Sequence, residues 1–114
     1  MSPIPKTIDL QQKDLKIVQR ILSAHLPGRP VFVFGSRTTG RAGRASDLDL
    51  AVGGSDLTIR EHALIDEAFE ESDLPMCVDI VPLAQAKGVF RKRIESEWVP
   101  LPGFEAETHE VTAA

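Results

Sequence analysis

Cysteine is nearly missing from this chain: among 114 residues, Cys77 alone carries a thiol. That excludes an internal disulfide and a cysteine-rich zinc site. An excess of basic residues is missing as well. Lys and Arg number 13 against 17 Asp and Glu, for a formal net charge of −4. A surface that binds nucleic acid without regard to sequence needs the opposite balance, so that class is disfavoured, although a small basic pocket is not. No apolar run approaches the ~20 residues that span a membrane. Met1 to Lys6 does not resemble a secretory signal, so the expected compartment is the cytoplasm. What remains, 42% hydrophobic and 26% charged residues, is the composition of a globular protein with one modest core.

Hydrophobic spacing divides the chain into alternating helices and strands. Asp9 with Gln12 reads as a capping box that opens a helix to about Ala24, with Leu10, Ile17, Val18, Ile21, Leu22 and Leu26 on one face. Pro27-Gly28 stops it. Val31 to Phe34 is a short apolar run suited to a buried strand, and Leu48 to Val52 alternates as a second strand. Thr58 with Glu61 caps a helix to about Glu71 that buries Leu64, Ile65, Ala68 and Phe69. Met76 to Val81 reads as a third strand, closed by Pro82. Ala84 to about Trp98 reads as a last long helix with Ala86, Phe90, Ile94 and Trp98 inward. Val99 to Phe104, with two prolines, suits an edge segment. The expected architecture is therefore a mixed α/β (α+β) domain over residues 1–104, with a small three- or four-stranded sheet flanked by helices. Residues 105–114 are small and polar and read as a tail.

The stretch from Gly35 to Val52 holds the chemistry. Gly35 lets the chain turn sharply and lets backbone approach a ligand closely. Ser36 opens a short helix over Arg37 to Thr39, whose first N–H groups would point at an anion. Ten residues separate Ser36 from Asp47, which with Asp49 shares one face of a strand while Leu48 and Leu50 face the core. Asp79 lies inside the apolar run of the third strand. A carboxylate there is costly unless it is paired, exposed or bound to a cation. If the third strand neighbours the second, three acidic groups gather opposite the glycine–serine turn. Divalent cations would relieve their repulsion and support phosphoryl or nucleotidyl transfer. Singly, each piece is ordinary: a turn, a solvated strand face, an edge-strand charge. The joint spacing is what carries the reading.

Gly-Ser, ten residues, then Asp-x-Asp resembles the signature of the DNA polymerase beta-like nucleotidyltransferase superfamily. The context Val33-Phe34-Gly35-Ser36-Arg37 and Ser46-Asp47-Leu48-Asp49-Leu50 is most similar to its minimal members, the antitoxins of HEPN–nucleotidyltransferase toxin–antitoxin pairs. The resemblance implies the polymerase beta-like palm fold. It implies that Gly35 and Ser36 bind the β- and γ-phosphates of ATP and that Arg37 beside them neutralises phosphate charge. It implies that Asp47, Asp49 and Asp79 ligate two Mg²⁺ ions, with Asp79 also helping to deprotonate the attacking hydroxyl. In that family the acceptor is a tyrosine of the partner HEPN toxin, an RNase, and the group moved is AMP. This chain has no tyrosine, so it cannot be its own tyrosine acceptor.

Two rival functions fit the same residues. One is a binding antitoxin that neutralises its partner sterically. The other is transfer to a small molecule such as an aminoglycoside, or to an RNA end, although relatives of those kinds generally carry extra substrate-binding domains for which 114 residues leave little room. The remaining candidates read as structural. Arg41 and Arg44 are solvated loop residues, and Arg91-Lys92-Arg93 is the wet face of the last helix. His25, His62 and His109 share no metal spacing. Cys77 reads as a small buried residue in its strand.

Overall fold

Two short strand-forming segments set the frame. In a computed structural model of the chain, which describes residues 7–106, strand β1 (Val31–Phe34) and strand β2 (Leu48–Val52) pair antiparallel, Val33 opposite Leu50 and Phe34 opposite Asp49. Strand β3 (Val78–Pro82) pairs parallel to β2 on its other side. Strand β4 (Val99–Pro100) pairs antiparallel to β1. The sheet order is thus β3-β2-β1-β4, and the expected edge role of the segment after Trp98 is met.

Because side chains alternate along each strand, the sheet has two chemically distinct faces. Val31, Val33, Leu48, Leu50, Val52 and Ile80 face one way and join helices α1 (Gln12–His25) and α3 (Ile59–Glu70) in the main core. Val18, Leu22 and Ile65 are almost fully enclosed there. Phe34 and Ala51 face the other way, under helix α4 (Gly88–Glu97), with Leu83, Ala86 and Ile94. This second cluster is smaller, and the polar site occupies the same face.

Several expectations need correction. α1 starts at Gln12 with Gln11 at its N-cap and no side-chain cap. Asp9 is engaged elsewhere: its N–H donates to the Arg37 carbonyl at 2.7 Å and its carbonyl accepts from the Arg37 guanidinium at 2.8 Å. The Thr58–Glu61 capping box forms as read, with both reciprocal bonds. Leu64 is exposed, however, and the buried face of α3 narrows to Ile65 and Phe69. The last long helix is broken. Leu83–Gln85 forms one 3₁₀ turn, Ala86 and Lys87 are extended, and α4 begins at Gly88, whose φ of 58° is in the left-handed region. Phe90 is correspondingly partly exposed and only edges onto Phe34, at 6.3 Å between ring centroids. β3 starts two residues late, so Cys77 is an exposed residue ahead of the strand. At the end of the described chain, Phe104 is buried and its carbonyl accepts from the Val31 N–H. Most of the expected tail lies outside the described residues. Among those described, no helix is long and apolar enough to cross a membrane.

Candidate active site

Four strand and helix ends meet at one end of the sheet. Asp49 lies on β2 directly opposite Asp79 on β3, so both side chains project to the α4 face, with strands about 4.8 Å apart. Asp47, two residues before Asp49, continues that face just outside β2. On the other flank Phe34 is opposite Asp49, which brings the following residue, Gly35, against the same carboxylate.

Gly35 shows why only glycine fits. Its φ is 84° and ψ −151°, a region that residues with a Cβ avoid. A Cβ built there would run into the Asp49 carboxylate. The turn is locked from both sides. Its carbonyl accepts from the Thr38 N–H at 3.1 Å and from the Thr38 and Thr39 hydroxyls at 3.1 and 3.2 Å. Its N–H donates to Glu97 Oε1 at 3.0 Å. The one-turn helix α2 (Ser36–Thr39) follows, and its first N–H groups have no intrahelical partner to bond.

Burial pushes the Asp49 carboxyl up to about 6, with the charges of Asp79 and then Asp47 adding to the rise; Arg93 opposes it and Glu97 adds a little. A carboxylate that resists ionisation among others is suited to a cation. Among the described residues, no three His, Cys, Asp or Glu side chains form one closed ligand cluster. The acidic groups are instead presented in adjacent pairs. Mg²⁺ is a fit for such a set, since it keeps several waters and takes one or two protein carboxylates together with substrate phosphate oxygens.

Arg37 is placed differently from its expected role. It is buried, and its guanidinium donates to the carbonyls of Ser46, Arg44, Gly43 and Asp9. All of those are backbone acceptors of the loop and the segment before α1. The planar fork of donors suits such a clamp, and the Arg37 guanidinium is thereby engaged with the loop backbone. The cation that acts on Asp49 is Arg93 of α4, which the sequence reading left on a wet helix face. Arg93 pairs loosely with Glu97, Nε to Oε2 3.5 Å. Glu97 was missed too. Spacing of four on a helix signals the Arg–Glu pair but not what it faces.

Comparison with known proteins places the chain in a family. Residues 16–101 match the family described as polymerase beta, nucleotidyltransferase. The chain is 36% identical over 107 residues to the probable protein adenylyltransferase MntA of Haemophilus influenzae, covering 93% of this chain and 94% of that one. Its fold matches a toxin–antitoxin crystal structure with AMP-PNP at a TM-score of 0.68 and 23% identity, over 86% of this chain and 78% of that one. It also matches a tri-AMPylated Shewanella oneidensis HEPN toxin in complex with its MNT antitoxin at a TM-score of 0.66 and 21% identity, over 90% of this chain and 79% of that one. With a glycine turn pressed on paired aspartates and a family match over most of its length, the chain belongs to the polymerase beta-like nucleotidyltransferases, in their minimal form.

Proposed function

We propose that the protein is a magnesium-dependent protein adenylyltransferase that acts in the cytoplasm as an antitoxin, moving AMP from ATP to a tyrosine of a HEPN-type toxin. The observation that carries this reading is the direct opposition of Asp49 and Asp79 beside the Gly35 turn. The relative MntA, described as a probable protein adenylyltransferase, supports it.

Gly35 and Ser36 would bind the β- and γ-phosphates. Asp47 and Asp49, with Asp79, would hold two Mg²⁺ ions, which when bound neutralise the triphosphate. The tyrosine oxygen bonds to the α-phosphorus, the bond from that phosphorus to the β-phosphate oxygen breaks, and pyrophosphate leaves. Asp79 takes the phenolic proton. Glu97 keeps the glycine turn in place, and Arg93 balances the acidic wall.

Intact-mass spectrometry of the toxin after incubation with the protein, ATP and Mg²⁺ tests the proposal. One or more AMP additions are expected, and an unmodified toxin that is folded and bound would count against it. Asp47→Asn with Asp49→Asn separates catalysis from steric neutralisation. The doubly substituted protein should fail to protect cells, and protection that survives supports a binding antitoxin.

A further inference from the structure

Strand order has a consequence for where the acceptor enters. This inference rests on the nucleotidyl-transfer reading above. In an in-line displacement the attacking oxygen and the leaving pyrophosphate lie on opposite sides of the α-phosphorus. The glycine–serine turn ends β1, Asp47 and Asp49 belong to β2, and Asp79 to β3. These strands are consecutive in the sheet, so the axis from leaving group to nucleophile crosses it, about 4.8 Å per strand. With phosphates at the β1 end, the nucleophile arrives over β3.

Beyond β3 there is no further strand among the described residues. The Leu48 N–H donates to the Cys77 carbonyl at 2.9 Å. By two-residue alternation, Val78 and Ile80 therefore turn their backbone N–H and C=O groups to the free edge. A cavity of about 470 Å³ opens at this edge, between β3 and α3, with Asp79 among its lining residues. That is within the ~300–1,000 Å³ of sites that enclose ligands. Phe69 and Met76 give it an apolar floor, while Asp66 and Glu70 add acidic groups to Asp79. Its one basic lining residue, His62, stands 3.7 Å from Asp66.

We propose that this groove receives the acceptor segment of the partner toxin: an extended, basic stretch that lies along the β3 edge and delivers its tyrosine hydroxyl to Asp79. Three features lead to it. Asp79, whose side chain projects to the catalytic face, is also among the residues lining the groove, the edge of β3 offers backbone pairing to an extended chain, and the acidic lining favours positive flanking side chains. The transferred group and proton move as written above. The tyrosine oxygen gains the α-phosphorus, pyrophosphate departs toward Gly35, and Asp79 accepts the proton.

Cys77 supplies the test. It is the protein's one cysteine, it is exposed, and it lines the groove. Binding of the intact toxin should slow maleimide alkylation of Cys77 at least tenfold, while AMP-PNP with Mg²⁺ alone should leave the rate unchanged. Asp66→Lys combined with Glu70→Lys should weaken toxin binding at least tenfold, measured by calorimetry. Transfer of AMP with Cys77 still fully reactive in the complex would overturn the groove and leave the enzymatic reading standing. Protection of Cys77 without any transfer would keep the docking surface and remove the enzymatic reading. Undiminished toxin affinity in the doubly charge-reversed protein would also overturn the groove.

Discussion

Replacing Gly35 by alanine should damage the protein in two separable ways. The first is conformational. With φ at 84° and ψ at −151°, an alanine sits in a region where a Cβ costs about 1–3 kcal/mol. The second is steric. The new methyl group would collide with Asp49 Oδ2, and the aspartate side chain must shift to make room, costing about 1 kcal/mol. The sum is about 2–4 kcal/mol. At roughly 4–8 °C per kcal/mol for a domain of this size, the midpoint should fall by about 10–30 °C.

A double-substitution cycle in urea separates the parts. Asp49→Ala removes the colliding carboxylate and leaves the backbone penalty. Gly35→Ala should therefore cost about 1 kcal/mol less in the Asp49→Ala background than in wild type. AMP transfer by Gly35→Ala should fall at least a hundredfold at temperatures where it remains folded, because the Asp49 carboxylate is displaced from its place beside the turn. If Gly35→Ala costs under about 1 kcal/mol, or if Asp49→Ala leaves its cost unchanged, the account of the turn is wrong.

The remaining predictions concern charge and support. Asp49 has a folded value of about 6 against an ordinary 3.8, so the folded state holds this proton more tightly than the unfolded chain. Its contribution to stability is full below pH 4 and is lost as pH rises through 6. Allowing for solvent screening at this half-buried site, that is about 1 kcal/mol. Asp49→Asn should accordingly melt higher than wild type by about that amount at pH 8 without Mg²⁺, and the gap should close near pH 4. Mg²⁺ should raise the wild-type midpoint above pH 6 and raise that of Asp49→Asn far less. Arg37→Met should cost about 2–4 kcal/mol by leaving buried carbonyls of the loop unsatisfied, and Arg37→Lys should recover under half of it because an ammonium cannot reproduce the fork; denaturant titration measures both. Glu97→Ala should cost about 1 kcal/mol and lower kcat for transfer, whereas Glu97→Gln, which keeps an oxygen acceptor for the Gly35 N–H, should restore most of both.

What the sequence made legible was what it encodes locally. A short apolar run assigned Val31–Phe34 to a strand, alternation assigned Leu48–Val52 and put Asp47 and Asp49 on one face, and both strands have the bounds so read. The Thr58–Glu61 box is likewise a contact over three residues. The failures share a different origin. Asp9 has the residue type of an N-cap, yet two bonds to Arg37, 28 residues away, hold it outside the helix. Arg37 stands next to Ser36 in sequence, yet burial and four backbone acceptors turn it inward. Cys77 precedes a strand that an apolar run had extended through it.

Glu97 marks the boundary between the two kinds of information most clearly. From Arg93 and Glu97 alone, a spacing of four on a charged helix describes a surface ion pair worth a few tenths of a kcal/mol. Its place in the site follows from β4, which has only two residues, one of them Pro100. Val99 pairs with Val33. Continuing that antiparallel register two residues along each strand puts Glu97 opposite Gly35, where the hydrogen bond between them is found. A proline-containing edge pair thus decides that α4 ends over the glycine turn and not elsewhere on the sheet. Because the edge pair and the glycine turn lie more than sixty residues apart in sequence, no window short enough to show helical or strand periodicity contains both. The carboxylates could be read from one strand's alternation; the residue that steadies the turn beside them needs the register of another.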